Sequence, residues 1–380
     1  MAAAGFASQA QVRVTDSLLP QIAADFHTTI GAAAIVVTAY AFTHGTIQFI
    51  AGPIADRLGK FRTVAAISLI AAMLVAVCGA VSSIPQLALA RLVTGAVAGW
   101  VIPVSMAYIG DVTPPVRTQQ ILARYASGYI LGQLFGQAAG GVLGDLIGWR
   151  NVFFVLAGMF GAAAVGLLIE LNTGSLWRDR GAQPARGFIA DYAAVFSNPF
   201  ARLILLIGVL EAALAWGAFA YIGADLHARF GLSFTLIGVS VGFFGIGGLI
   251  YAALVRQFIR RFGQIGLALG GGLVVAAAYI VLAVEPVWWL APLATTAIGL
   301  GFYMFHNTLQ TKATLMTPEA RGTAVAFFTS SLYLGQTVGV AAGALVIDHL
   351  GAVPLYLGTG VTFPLLAVGF AITLRRHPAE

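Results

Sequence analysis

Charge is what this chain most lacks. Its 380 residues include 20 Lys and Arg and 14 Asp and Glu, 9% in all, where soluble domains carry about 25%. That excludes a water-soluble globular protein, and no polar stretch is long enough for a separate soluble domain. Cysteine is nearly absent. Cys78 stands alone inside an apolar run, which rules out a disulfide framework or a thiolate metal site and leaves it a packing residue. No metal and no cofactor is expected. The nucleotide loop G-x-x-x-x-G-K-[ST] and the zinc helix H-E-x-x-H do not occur, and no G-x-S-x-G nucleophile elbow is expected. An ATP-driven pump and the common intramembrane hydrolases therefore lose their chemistry, and the chain is not expected to be an enzyme. The start, MAAAGFASQA, has no basic leader, and Arg13 and Asp16 interrupt what would be an apolar core. It is expected to be a first spanning helix rather than a cleaved signal peptide.

What is abundant is apolar length. Hydrophobic residues make up 59% of the chain and the mean hydropathy is +0.91. A bilayer crossing takes about 20 apolar residues, and charge, Gly and Pro divide the chain into spans near 1–20, 30–52, 63–82, 86–109, 121–145, 151–171, 199–224, 232–255, 264–283, 287–309, 322–347 and 353–374. The pattern predicts an all-α membrane protein of twelve transmembrane helices. With both termini cytoplasmic, sixteen cations fall in inner loops and the tail (Arg57, Lys60, Arg62, Arg117, Arg124, Arg178, Arg180, Arg186, Arg202, Arg256, Arg260, Arg261, Lys312, Arg321, Arg375, Arg376), and only Arg150 and Arg229 in outer ones. Sixteen against two fixes orientation by the positive-inside rule. The same asymmetry explains the net charge of +6 without nucleic acid, with attraction to anionic membrane lipid a secondary effect. A multi-pass protein of a bacterial inner membrane, monomeric, is expected.

The longest polar stretch, NTGSLWRDRGAQPARGFIADY, lies between the sixth and seventh spans and has a linker's composition. It separates residues 1–171 and 199–380, two six-helix units, by a cytoplasmic linker at 172–198. The halves also match each other. GQLFGQAAGGVLGDLIG (132–148) and GQTVGVAAGALVIDHLG (335–351) agree at Gly132/Gly335, Gln133/Gln336, Gly136/Gly339, Gly140/Gly343, Asp145/Asp348 and Gly148/Gly351, a constant offset of 203. TPPVR and TPEAR precede them at nearly that spacing. A duplicated unit of this kind, two pseudo-symmetric six-helix bundles with sites expected at the repeat interface, is the architecture of a secondary transporter.

Three motifs carry a family resemblance. The loop GPIADRLGKFR (52–62) contains Gly52, Asp56, Arg57, Gly59 and Lys60 and resembles the signature loop of the major facilitator superfamily, G-x-L-x-D-R-x-G-R-[KR]. RLVTGAVAGWVIP is similar to that family's R-x-x-x-G-x-x-x-G motif through Arg91, Gly95 and Gly99. GYILGQLFGQAAGG resembles the motif of its drug/proton antiporter branch through Gly128, Gly132, Gly136, Gly140 and Gly141. The chain departs from the pattern twice: Gln137 stands where a proline follows Gly136, and the second-half loop, RQFIRRFG, aligns Gly263 with Gly59 but puts Arg260 where Asp56 stands. The resemblance implies a conformational switch role for the 52–60 loop, resting on the first half alone. The glycines themselves read as close-packing positions, with Gln133, Gln137 and Gln336 beside them as candidates for lining a cavity.

Polar groups inside the spans are the remaining candidates, because a charge at mid-bilayer costs about 2.5–3.5 kcal/mol or more and faces a partner or a water-filled cavity. At about 1.5 Å per residue, Asp16 and Arg91 come out level, so an Asp16–Arg91 pair or an Arg13–Asp16–Arg91 cluster is possible. The resemblance implies a proton and cation role for Asp16, an acid four residues before Pro20; a fixed ion pair with Arg13 is the structural alternative. Glu211, with no basic residue within one turn and with Trp216 nearby, could carry a proton or meet a cation. His44 with Gln48, and His306 with Gln310, Tyr303 and Asn307, are candidate substrate contacts or packing residues. The expected function is proton-coupled efflux of small amphipathic or cationic organic compounds by alternating access. The alternatives are a metabolite or organic-anion carrier that uses Arg13 or Arg91, and a non-transporting receptor or scaffold.

Overall fold

The computed structural model describes residues 1–174 and 188–376. Arg178, Arg180, Arg186 and most of the expected linker lie outside the described residues. Within them every regular element is helical. The first half comprises α1 (Ala2–Asp25), α2 (Ile30–Ala33), α3 (Ile35–Thr46), α4 (Gln48–Leu58), α5 (Lys60–Ala80), α6 (Ile84–Ala98), α7 (Val101–Val112), α8 (Pro115–Ile147) and α9 (Trp149–Thr173). The second comprises α10 (Phe188–Ser197), α11 (Pro199–Phe219), α12 (Ile222–Phe230), α13 (Phe234–Gly242), α14 (Phe244–Val284), α15 (Leu290–Leu315), a short 3₁₀ turn (Pro318–Ala320), α16 (Arg321–Leu350) and α17 (Ala352–Arg376). The expected linker is thus helical over its last residues.

Among the described residues, nine helical stretches are long and apolar enough to cross a membrane. Three places separate this number from twelve. Helices α1 and α15 are rich in polar side chains; those of α1, including Gln11, Arg13 and Asp16, are buried inside the protein. The run 234–284 counts as one stretch of 51 residues, about 76 Å at 1.5 Å per residue and more than twice a bilayer core. Gly263, at φ 62°, ψ −178°, breaks it. The matching first-half glycine, Gly59, ends α4 at φ 88°, a conformation that glycine alone adopts without strain.

Each half centres on its own apolar core, one mainly of residues 4–167, joined by Ala220, Tyr221 and Val340 from the other half, and one of residues 195–374. The glycine ladders explain why. A Cβ on Gly132, Gly136 or Gly140 of α8 would strike the α1 backbone at Phe6, Ala10 or Val14. On Gly335, Gly339 or Gly343 of α16 it would strike α11 at Val209, Ala213 or Gly217. Both the glycines and their targets are offset by 203, so the duplication extends to backbone contacts. Small residues let helices approach this closely.

Two ends of the molecule differ. The basic end gathers Lys60, Arg62, Arg202, Arg260 and Arg321; the sparse end carries Asp25, Asp145, Arg150 and Asp348. At the sparse end two carboxylates clasp the opposite half. Asp145 of α8 accepts from the Thr235 backbone N–H (3.3 Å) and hydroxyl (2.7 Å) at the start of α13. Asp348 of α16 accepts from the Gly31 N–H (2.8 Å) and the Thr29 hydroxyl (2.5 Å) at the start of α2. At the basic end the Tyr192 hydroxyl of α10 donates to the Phe49 carbonyl, and Phe327 packs against Phe49, Tyr192 and Phe196, each ring centroid 4.8 Å away.

Candidate functional site

Two polar clusters sit in the interior, one per half. In the first, α1 places Arg13 and Asp16 one turn apart, their nearest charged atoms 3.6 Å apart, both side chains at most 4% exposed. The Arg13 guanidinium lies flat over Trp216 of the other half, 3.3 Å from the ring centroid, a cation–π contact that spans the interface between halves. Neither carboxylate oxygen of Asp16 has a hydrogen-bond partner, nor does Arg13 Nε, and both amide atoms of the neighbouring Gln137 are likewise unpartnered and buried. Unsatisfied buried polar atoms cost free energy, about 1–3 kcal/mol each, and native proteins keep them where function uses them.

Arg91 does not join this cluster, contrary to the level pairing expected. Its Nε donates to the Val36 carbonyl (3.2 Å), one terminal nitrogen to the Gln11 carbonyl (3.0 Å) and the other to the Gln11 side-chain oxygen. Its plane lies 4.0 Å from the Tyr40 ring. Neutral oxygens thus take up the guanidinium without a carboxylate. The first helix also does not end at Pro20 but runs through it to Asp25, so Asp16 lies deeper than a helix ending at the proline would place it.

In the second cluster Glu211 has a partner that its own helix does not reveal. His306 of α15 places Nδ1 3.1 Å from both carboxylate oxygens, and its ring stacks on Phe302 (4.9 Å) and Phe328 (6.0 Å). The expectation of an acid without a basic neighbour fails because a residue 95 positions away supplies one. His44 is buried between Tyr40 (5.2 Å) and Tyr333 (4.5 Å) with Nδ1 unpartnered. Gln48 and Gln336 are buried and Gln133 half-buried. Tyr303, Asn307 and Gln310 come together on the wall of a cavity of about 700 Å³ between α8, α14 and α15. At the basic end the 52–60 segment, expected as a loop, is helical apart from the break at Gly59 and forms a charge bridge: Lys60 meets Asp56 (2.8 Å) and also Asp111 at the end of α7, while Arg57 is exposed.

The sequence profile described as Major Facilitator Superfamily matches residues 1–320. The chain belongs to the Major Facilitator Superfamily. It is an integral, multi-pass membrane transporter of that superfamily, not an enzyme. Similar proteins include an uncharacterized MFS-type transporter, YceJ, of Bacillus subtilis, 28% identical over 88% of this chain and 86% of that one. A chloramphenicol resistance protein of Streptomyces lividans is 27% identical over 94% and 88%. A probable sugar efflux transporter of Helicobacter pylori is 23% identical over 66% and 62%. Among solved structures, the nucleoside transporter NupG shares the fold with TM-score 0.75 at 12% identity over 98% of both chains. A D-xylose-proton symporter does so with TM-score 0.74 at 14% identity, over 97% and 94%.

In this facilitator one string, Gly238–Val239–Ser240–Val241–Gly242, has the spelling of a nucleophile elbow. It lies inside α13 with Gly238 against Ala138 and Gly141, and an elbow needs a strand-to-helix turn. Sequence reasoning missed Gln11 as the cradle of Arg91, Asp111 as the second acid on Lys60, and Tyr333 beside His44. It also passed over a sparse-end cluster in which Arg229 bridges Asp225 and Glu285 (3.1 Å to the latter), with the Tyr356 hydroxyl donating to Asp225 (3.2 Å). The recurrence of Asp145 at Asp348 was a visible signal for the clasps, had it been read as more than a mark of duplication.

Proposed function

We propose that this facilitator is a proton-coupled exporter of small amphipathic or cationic organic compounds. In this reading the chain crosses a bacterial inner membrane twelve times as two six-helix bundles, 1–171 and 199–380, joined by a cytoplasmic linker, and works as a monomer. The basic end is cytoplasmic. The observation that carries the reading is the buried Asp16 carboxylate, with neither oxygen hydrogen-bonded, beside an Arg13 that reaches across to Trp216 of the other half.

Rocking of the halves about a central site must part Arg13 from Trp216, and parting them opens Asp16 to water on one side. The carboxylate then exchanges its proton for the aqueous phase it faces, or for the charge of a bound cation. Glu211 with His306 forms a second proton-holding pair across the cavity wall. The Lys60 bridge to Asp56 and Asp111 ties α4, α5 and α7 together in this state and releases as the basic end rearranges. Energy comes from the proton gradient, about 2.3 kcal/mol per charge per 100 mV. The relatives named for chloramphenicol resistance and sugar efflux support the export direction.

The test is flux in proteoliposomes. An imposed pH gradient drives a fluorescent amphipath against its concentration in the intact protein, and Asp16→Asn and Glu211→Gln each impair that movement. Unchanged pH dependence in both variants overturns the coupling assignment. A second reading, a carrier of organic anions, draws on the unpartnered Nε of Arg13. It predicts counterflow of a carboxylate or phosphate ester that Arg13→Gln abolishes. Arg91 gives it no support, because each of its three nitrogens already donates to Gln11 or Val36. Absence of flux for every compound class leaves the receptor or scaffold alternative.

A further inference from the structure

The cavity of about 700 Å³ beside the central clusters has a property that the transport reading does not use: among the described residues, none that lines it is charged. Its polar wall is made of amides and hydroxyls, Asn307, Gln310 and Thr311 of α15 and Gln264 of α14 among them, facing an apolar wall that includes Ile130 and Leu134 of α8 and Leu267 of α14. The threonine hydroxyls are already committed as donors. Thr308, Thr311 and Thr314 donate to the carbonyls of Met304, Asn307 and Thr311 on their own helix (3.1, 2.8 and 2.7 Å), so each turns an acceptor lone pair to the cavity.

The helices that line the cavity carry mostly basic charge; Glu211 of α11, engaged by His306 of α15, is not among the lining residues. The helices α13, α14 and α15 contain no acid, and α14 and α15 carry Arg256, Arg260, Arg261 and Lys312. On α8 the single acid, Asp145, is at the sparse end, engaged with Thr235. A cation entering here meets no carboxylate on the lining, and the basic residues of α14 and α15 oppose it. An anion meets no lining cation to pair with its charge once desolvated.

We propose that this cavity is a binding site for an uncharged amphipath: an aromatic or aliphatic body against α8 and α14, and hydroxyl or amide groups, which both donate and accept, directed at the amide and hydroxyl face of α15. The proposal rests on the transport reading and narrows its substrate class, placing neutral compounds here and leaving cations to Asp16. Donor-bearing groups suit the site because a wall built to hydrogen-bond rejects a ligand that leaves its polar atoms unpaired.

The experiment uses the full chain in lipid nanodiscs and three probes with a similar aromatic body: phenyl β-D-glucoside (neutral), benzyltriethylammonium (cation) and phenyl phosphate (anion). Equilibrium dialysis of radiolabelled phenyl glucoside is expected to show saturable binding that the other two do not displace. The double variant Asn307→Leu, Gln310→Leu weakens it about tenfold or more, as loss of two hydrogen bonds implies. Thr311→Val, which keeps the side-chain shape, gives a smaller loss in the same direction, and a melting temperature near that of the parent certifies both folds. Displacement of the glucoside by benzyltriethylammonium, or binding unaffected by the α15 substitutions, overturns the proposal. Flux separates the two claims. Binding as expected without movement of any probe across proteoliposomes sinks the transport reading and leaves the site; gradient-driven flux of the cation with no glucoside binding sinks the site and leaves the transport reading.

Discussion

The two halves share a backbone plan and differ in how they treat buried charge. In the second half Glu211 has both oxygens within 3.1 Å of one imidazole nitrogen, and aromatic rings hold that imidazole. In the first, Asp16 stands 3.6 Å from Arg13 with no hydrogen bond to either oxygen, and Gln137 beside it is unsatisfied at both ends. Identical glycine contacts at an offset of 203 show that three close crossings, of α8 on α1 and of α16 on α11, were kept. The difference teaches where the halves parted: at the buried charged side chains Asp16 and Glu211 and their partners.

The strongest way to probe the shared part is to fill it. Gly136→Val and Gly339→Val each push a side chain into backbone, at Ala10 and Ala213 respectively. Overpacking of a core costs about 1–3 kcal/mol where side chains can yield and more against backbone, so both variants are expected to lose the monodisperse peak in size-exclusion chromatography. A normal peak for one and not the other breaks the symmetry claimed here.

Next in size is the unlike part. Asp16→Asn is expected to abolish gradient-driven flux while leaving downhill exchange. Glu211→Gln is expected to reduce both, because it also takes away the charged partner of His306. Equal effects from the two, in proteoliposomes with matched protein density, erase the distinction between the clusters.

The sparse-end clasps come third. Asp145→Asn and Asp348→Asn each weaken hydrogen bonds that a charged acceptor strengthens, by about 1 kcal/mol, which multiplies the population open at that end about fivefold. Cysteines introduced at positions 30 and 234, half-buried next to the clasps and no part of them, in a Cys78→Ser background report this as faster labelling by an impermeant maleimide. An unchanged rate in either variant means that its clasp carries no closure energy.

The smallest effect concerns pH. Burial pushes Glu285 up to about 7 from 4.5, against the opposing pull of Arg229. An acid whose folded value is raised binds its proton more tightly folded than unfolded. Its contribution is therefore fully present below about 4.5 and lost as pH rises to about 7. Thermal melts of the parent should decline modestly over that window, and Glu285→Gln should flatten the decline. Melts that rise with pH there contradict the assignment.

Much of this was legible in the sequence. Apolar runs marked most spans because lipid demands them, and the offset of 203 marked the duplication because close contacts keep glycine at fixed positions. Composition understates α1 and α15, many of whose polar side chains, Arg13, Asp16, Thr295 and Thr308 among them, are sheltered by other helices, a fact available only in three dimensions. The clusters were legible one residue at a time. Asp16, Arg13, Glu211 and His306 stood out as costly inside a membrane, but the sequence pairs neighbours on one helix and says nothing of partners 95 or 203 residues away. Arg91 went to Gln11 rather than to Asp16 for the same reason: an amide and two backbone carbonyls satisfy a guanidinium without announcing themselves as charges.

The clasps at Asp145 and Asp348 have a consequence beyond closure. Each is fixed to one half and grips the other, so the two halves hold one another reciprocally. Each also lies beside a close crossing of the halves, Gly141 against Gly238 and Gly31 against Ala344. A tandem duplication thus supplied, without any new residue type, a matched pair of grips at the end of the molecule where charge is scarcest.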